Sequence, residues 1–318
     1  MKPLAISMGC PGGIGPEVTL RALLEDAGEA LVFGDVALLQ ARAATLGVDL
    51  GRLRARLVQV GPPLSADARS AGRWTKEGGA AQLAYVDAAL DAVLAGEASA
   101  IVTAPVSKAA VQAGGAAGFL GHTEHFGARL GSETVMAFWE PNLTLSLATT
   151  HLPLSAVAGA LDSEQVARAA FHTARLLDAL GVDGELDVAV LALNPHAGEE
   201  GLLGDEEGRV IAPGIVAARE RLRAAGSSRR LVGPLPAESA IRRAARDHAH
   251  GACVAMYHDQ ATIPSKLLAF GEAVNVTLGM PVVRTSVDHG TAYDRAGQGT
   301  ADPRGMATAI GLARRLAR

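Results

Sequence analysis

The stretch Leu4–Gly28 reads LAISMGCPGGIGPEVTLRALLEDAG. Its opening apolar run stops at Gly9, which is the length of a buried strand and too short for a helix. A glycine-rich turn follows, and Pro16 then stands where the first turn of a helix tolerates proline, because that N–H would lack an intrahelical partner anyway. The run VTLRALLEDAG completes a strand, tight turn and helix. The turn has two possible uses. Unpaired N–H groups at the helix start could receive an anion, or Gly9, Gly12, Gly13 and Gly15 could simply let the chain reverse compactly. Gly9 is followed by Cys10 and Pro11, so the spacing is not G-x-G-x-x-G and a Rossmann fingerprint is a poor reading. Asp35, twenty residues after Gly15, imitates that fingerprint's ribose-binding acid without the glycines that would give it meaning.

The alternation continues outward from this unit. It predicts a strand at 30–34, a helix at 36–46, a strand at 56–60 and a long helix from about 79 to 95. Next, ASAIVTAPVSK (98–108) brings Thr103, Ser107 and Lys108 to the end of a buried strand. Such alternation predicts a mainly parallel, doubly wound sheet with ligands at the carboxyl ends of its strands. From 134 to 149 the pattern changes to TVMAFWE and LTLSLATT joined by Pro-Asn, a hairpin signal and the start of a second lobe. A chain of 318 residues exceeds the size at which one core keeps growing. We expect a first lobe of 1–133 plus 280–318 and a second of 134–279.

Hydrophobic residues make up 49% of the chain and aromatics 3%, with 37 glycines, as suits layers of Ala, Leu and Val joined by tight turns. The net charge is −4 and no Lys/Arg run exceeds a pair, so no nucleic-acid or anionic-membrane footprint is present. The first apolar run is too short for a signal peptide and no run approaches a membrane span, so the expectation is a soluble, cytoplasmic protein. Cys10 and Cys253, with no C-x-x-C, agree with a reducing compartment.

Three histidines each close an apolar strand: His151 in TTHLPL, His196 in NPHAGEEG and His258 in MYHDQ. Any one alone is ordinarily a hydrogen-bonding residue. Together they form a three-imidazole set that leaves positions on a divalent metal open to substrate. Glu199 and Asp259 are close enough in sequence to orient the rings. Lys108 gains interest from GHTE at 121–124, which offers His122 and Thr123 at a glycine-marked turn. The densest chemistry lies in 256–297, where His258, Asp259, Lys266, Asn275, Arg284, Asp288, His289 and Asp294 stand between short apolar runs. The last two acids and His289 either brace the loop DHGTAYD or meet a cofactor.

TAPVSK, GHTE, TTHLPL, NPHAGEEG, GPLP, MYHDQ and NVTLGMPVVRTSVDHGTAYDRAG occur in this order. The chain thereby resembles the 4-hydroxythreonine-4-phosphate dehydrogenase family of vitamin B6 biosynthesis from Met8 to about Gly299. The resemblance implies an NAD- or NADP-dependent oxidation of 4-phosphohydroxy-L-threonine to 2-amino-3-oxo-4-phosphooxybutanoate, which decarboxylates to 3-amino-2-oxopropyl phosphate. It implies a two-lobed α/β/α fold like that of isocitrate and isopropylmalate dehydrogenases, with the active-site cleft between lobes at a homodimer interface, the second lobe carrying dimer contacts. One divalent metal per site is implied, zinc first, with magnesium or cobalt as alternatives. Its histidines fall on His151, His196 and His258. The substrate contacts fall on His122, Thr123, Lys266, Asn275 and Arg284, and Lys266 and Asp259 are the catalytic candidates. No cofactor-binding residue is assigned.

The chain departs from the family pattern in several places. Cys10 stands where an acidic residue is usual, Gly13 where alanine is frequent, Glu238 for aspartate, Ala261 for glycine and Ser265 for leucine. None removes a metal or phosphate ligand. The Cys10 change opens the choice of substrate to sister enzymes acting on 4-phospho-D-erythronate or an aromatic cis-dihydrodiol carboxylate. Readings of another class are a non-catalytic metal- and phosphate-binding protein and an acyl-phosphate transferase, and the three histidines argue against the transferase.

Overall fold

The computed structural model describes residues 2–268 and 271–318. Its strands in chain order are β1 (Leu4–Ser7), β2 (Ala30–Gly34), β3 (Ala55–Gln59), β4 (Ile101–Thr103), β5 (Val135–Glu140), β6 (Leu143–Leu147), β7 (Asp187–Leu191), β8 (Leu231–Leu235), β9 (His250–Ala255), β10 (Val274–Leu278) and β11 (Arg284–Val287). The helices are α1 (Gly15–Leu23), α2 (Val36–Leu46), α3 (Lys76–Leu94), α4 (Lys108–Ala113), α5 (His122–Leu130), α6 (Leu154–Ala160), α7 (Ser163–Ala179), α8 (Ala212–Ala224), α9 (Ala237–Asp247), α10 (His258–Leu268) and α11 (Arg304–Leu316). The protein is a mixed α/β fold whose chain divides into two compact units, Met1–Ser132 with Met280–Arg318, and Glu133–Gly279.

The first unit orders its strands β3-β2-β1-β4-β11, all parallel. β1, β2 and β4 are buried along their whole length, as their continuous apolar runs require of a sheet covered on both faces. The helices fall into two groups, α1 with α2 and α11, and α3 with α4. Leu31, Phe33, Val86, Leu90 and Ile101 sit in one core cluster, each such side chain stabilising the fold by roughly 1.5–3 kcal/mol relative to exposure. Helix α3 starts three residues before the sequence-based estimate. Thr75 caps it there, its hydroxyl accepting from Gly78 N–H at 3.0 Å, a signal the Ala/Leu periodicity does not contain.

The second unit orders its strands β10-β5-β6-β9-β7-β8. β5 and β6 form the expected hairpin, and β10 adds antiparallel to β5. Beyond β6 the pairing becomes parallel through β9, β7 and β8. Pro234 is tolerated in β8 because that strand ends the order and needs fewer ladder donors. Helix α7 opens with a capping box, Asp162 accepting from Gln165 N–H at 2.7 Å and Gln165 accepting from Asp162 N–H at 3.0 Å. Met136, Phe138, Leu145, Leu191 and Cys253 share this unit's core.

Candidate functional site

The three histidines follow the carboxyl ends of β6, β9 and β7, which are adjacent and parallel in the second unit. His258 opens α10, and its Nδ1 lies 2.7 Å from Asp259 Oδ1. With Nδ1–H donating to that carboxylate, the lone pair on Nε2 is the one presented outward. The His151 ring stands 5.7 Å from it, centroid to centroid. Both line a pocket of about 400 Å³ with Thr150, Leu152, Tyr257 and Ile263. His196 is exposed on the next turn, Pro195–Gly201.

Among the described residues no three His, Cys, Asp or Glu side chains close into a metal site. The structure brings His151 and His258 together and does not fold His196 onto them. The donor types nevertheless fit a divalent cation, since a ring buttressed by a carboxylate on its far nitrogen is how metal-binding histidines are ordinarily held. Lys266 is exposed on α10, and Asn275 is half-buried on β10 opposite Phe138.

The His196 turn has unusual backbone geometry. His196, Ala197, Glu199 and Glu200 have φ of 52°, 55°, 45° and 57°, a left-handed conformation that costs an L residue roughly 1–2 kcal/mol. Its neighbours supply compensation the sequence reading missed. The buried Glu207 carboxylate accepts from the backbone N–H groups of Leu193 and Asn194 at 2.9 and 2.8 Å. The available signal was the acid pair in GDEE, placed directly after the histidine motif.

In the first unit, His122 and Thr123 form the first turn of α5, where backbone N–H groups and the helix dipole favour an anion. A Cβ on Gly121 would meet Glu124 Oε2 at 2.8 Å and Lys108 Cε at 3.6 Å, so both side chains lie over this helix start. Arg284 is buried, its Nη2 donating to Thr103 Oγ1 at 2.7 Å and its Cζ 5.8 Å from the Phe126 ring centre. Burial pushes its guanidinium down to about 9, opposed by Glu124, which leaves it charged at neutral pH. Burial, and then the positive field of Arg284, hold the His122 imidazole well below its ordinary value, so it is neutral there. His122 Nε2 is buried without a hydrogen-bond partner among the described residues. A buried cation, a neutral imidazole and a helix N-terminus together suit a dianionic oxyacid. Helix α5 is tied to α3 by His125 Nε2 and Arg129 Nη1, at 2.7 and 2.8 Å from Asp87 Oδ1.

The glycine turn after β1 is closed by its own chain. Gly13 N–H donates to Cys10 O at 3.1 Å, Ile14 N–H to Thr291 O at 2.9 Å, and Gly72 N–H to Gly12 O at 2.9 Å. A Cβ at Gly15 would stand 2.3 Å from Met8 O, so this glycine lets α1 begin hard against β1. The contacts are those of the compact reversal expected for the turn. Asp35 is likewise structural, accepting from Leu38 and Leu64 N–H at 2.7 Å each and pairing with Arg69. The loop from Asp288 to Gly299 is braced through Glu17, which accepts from Gly297 and Gly299 N–H. Cys10 is buried with its Sγ 3.3 Å from Tyr293 Oη, and burial pushes its thiol up, away from thiolate chemistry.

The sequence profile of the family described as pyridoxal phosphate biosynthetic protein PdxA matches residues 26–313. A 4-hydroxythreonine-4-phosphate dehydrogenase of Burkholderia vietnamiensis is 43% identical over 336 residues, covering 99% of this chain and 96% of its own. The crystal structure of a 4-hydroxythreonine-4-phosphate dehydrogenase from Klebsiella pneumoniae superposes with a TM-score of 0.82 at 33% identity, over 100% of both chains. A terephthalate 1,2-cis-dihydrodiol dehydrogenase from Burkholderia xenovorans gives 0.70 at 30% identity, over 99% of this chain and 98% of that one. At the level of fold alone, a β-decarboxylating dehydrogenase from Thermococcus kodakarensis gives 0.52 at 15% identity, over 98% of this chain and 82% of that one.

Proposed function

The chain belongs to the pyridoxal phosphate biosynthetic protein PdxA family, an oxidoreductase family, and from that premise we propose that it oxidises 4-phosphohydroxy-L-threonine with NAD or NADP as co-substrate. The product, 2-amino-3-oxo-4-phosphooxybutanoate, is a β-keto acid and loses CO2 to give 3-amino-2-oxopropyl phosphate. The observation that carries the reading is the placement of His151, His258 and His196 after three adjacent parallel strands, the second with its Nδ1 fixed by Asp259.

These three imidazoles would hold one divalent metal, zinc before magnesium or cobalt. When bound, it supplies Lewis acidity that lowers the pKa of a hydroxyl and stabilises negative charge on oxygen. The chain's own groups do the rest. Arg284 and Lys108 provide positive charge for the phosphate, and His122 and Thr123 provide donors at the α5 start. Lys266 and Asn275 supply further charge and donors for the phosphate. Lys266 and Asp259 are the candidates to take the hydroxyl proton, Asp259 with one carboxylate oxygen engaged by the His258 ring. We assign no residue to the nucleotide, since the glycine turn is filled by its own chain. The working form is a homodimer joined through the second unit, where most of the exposed large apolar side chains lie.

The test is spectrophotometric NAD(P)H formation by purified protein loaded in turn with zinc, magnesium or cobalt, using 4-phosphohydroxy-L-threonine and each nucleotide. Reduction with release of CO2 is the expected result, and no reduction in any combination overturns the reading. The likeness to a dihydrodiol dehydrogenase favours a second substrate class, an aromatic cis-dihydrodiol carboxylate. The buried Arg284 beside an α5 start overlaid by Lys108 argues for the phosphate ester instead. Turnover of the diol or of 4-phospho-D-erythronate alone would move the assignment to that sister activity.

A further inference from the structure

The turn that presents His196 adopts a conformation its own sequence does not favour. His196 through Glu200 are five consecutive left-handed residues, and Gly201 continues them with φ of 96°. Only two of the six are glycine. Residues held this way persist where surrounding contacts over-determine them, and such sites gather where a side chain must be aimed.

The contacts converge on Glu207, which opens the Glu207–Ile211 segment before α8 and is 7% exposed. One carboxylate oxygen accepts both backbone donors that lead into the turn, from Leu193 and Asn194 at 2.9 and 2.8 Å. The other accepts Asn194 Nδ2 at 3.0 Å, and that same amide reaches Glu206 Oε2 at 2.7 Å. The turn wraps closely around this carboxylate. A Cβ on Gly198 would lie 2.7 Å from Glu207 Oε2, and one on Gly204 would lie 2.3 Å from Asn194 Nδ2. The far end closes on itself, Leu203 N–H donating to Gly198 O at 3.0 Å. Burying a carboxylate is costly, and an apolar residue could fill the same space without that cost. What an apolar residue could not do is collect three N–H donors from the strand end and turn entry.

We propose that Glu207 is a positioning residue, whose buried carboxylate fixes the left-handed turn after β7 and thereby aims the His196 imidazole. The proposal rests on the reading of His196 as a metal-binding residue. Glu207 acts through the Leu193 and Asn194 backbone, as carboxylates behind metal-binding histidines act through the ring.

The experiment is calorimetric titration of metal-free protein with Zn²⁺ for wild type, His196→Ala, Glu207→Ala and Glu207→Gln, with circular dichroism, kcat and KM for each. Glu207→Gln keeps the volume but in either orientation sets its NH2 against Asn194 Nδ2 or against the two backbone N–H groups, so it serves where Glu207→Ala does not fold. We expect a 10- to 100-fold weaker zinc affinity in the glutamine variant, a lower kcat and faster hydrogen exchange at the Leu193 and Asn194 amides. Wild-type zinc affinity in folded Glu207 variants, beside a His196→Ala that has lost it, overturns the positioning role alone. Wild-type zinc affinity in His196→Ala overturns the metal reading of His196 and the proposal with it.

Discussion

Glu140 ends β5 with its side chain buried at 5% exposure and one carboxylate oxygen without a hydrogen-bond partner among the described residues. Burial pushes its carboxyl up to about 7, with the Ser265 hydroxyl opposing. A carboxyl whose folded value lies above its unfolded one binds its proton more tightly in the native state. The native state is therefore favoured at low pH, and that advantage is lost as the pH rises from about 4.5 through about 7. The loss amounts to roughly 3 kcal/mol once the group is ionised. Glu140→Gln should then be more stable than wild type at pH 8 and nearly equal to it at pH 4.5, as chemical denaturation at the two pH values would measure. A variant with an unchanged pH dependence would show that Glu140 is solvated when ionised. At this scale the sequence announces chemistry but not environment. His151, His196 and His258 are legible because each ends an apolar run, and Arg284 because it stands in a dense motif. The burial of Arg284 and of Glu207 is not, since it depends on Thr103, Phe126 and Asn194 arriving from elsewhere in the chain.

Strands and helices were largely readable from period and punctuation. β1, α1, β2 and α2 follow from apolar runs broken by glycine, and the β5–β6 hairpin from Pro-Asn between two strand-like runs. The order β6-β9-β7 was not readable, and only that order places the three histidines after adjacent parallel strands. The left-handed turn at His196 was hidden too, because its conformation is imposed by Glu207 rather than chosen locally. Helix crossings carry a prediction of their own. A Cβ on Gly79 of α3 would lie 1.8 Å from Ala110 O, and one on Gly114 after α4 would lie 2.5 Å from Ala80 N, so the two helices meet backbone to backbone. Backbone cannot give way as a flexible side chain can. Gly79→Ala should cost about 3 kcal/mol or more and lower the thermal midpoint by about 10 °C. Gly61→Ala, with φ of 69° but open space around it, should cost only about 1 kcal/mol. Equal midpoints for the two variants would refute the close α3–α4 contact.

The whole chain builds a separate apolar core in each of its two units, yet the second leaves much apolar surface outside. Leu154 is 72% exposed and Leu267 80%, joined by Leu152, Ile263 and Leu268 on or next to α6 and α10. Ile263 lines both the histidine pocket and a groove with Pro264, Leu267, Leu268 and Ile241, so these side chains form one continuous surface beside the proposed metal site. Water contact on so many large side chains is unfavourable by roughly 25 cal/mol per Å², and covering them is what a second subunit does. If the homodimer forms here, a charge in its centre should separate the subunits. Leu267→Asp is expected to sediment as a monomer and to lose turnover, while its circular dichroism stays close to wild type because the side chain is not core, and its thermal midpoint falls only by the lost association. Leu24→Asp, at a 43% exposed position of the first unit, should remain dimeric and active and so controls for a general effect of surface charge. Sedimentation velocity across the concentration range of the activity assay distinguishes the cases. A wild type that is monomeric at full turnover, or a Leu267→Asp that stays dimeric and active, would remove the second unit from the interface and leave its exposed leucines to another purpose.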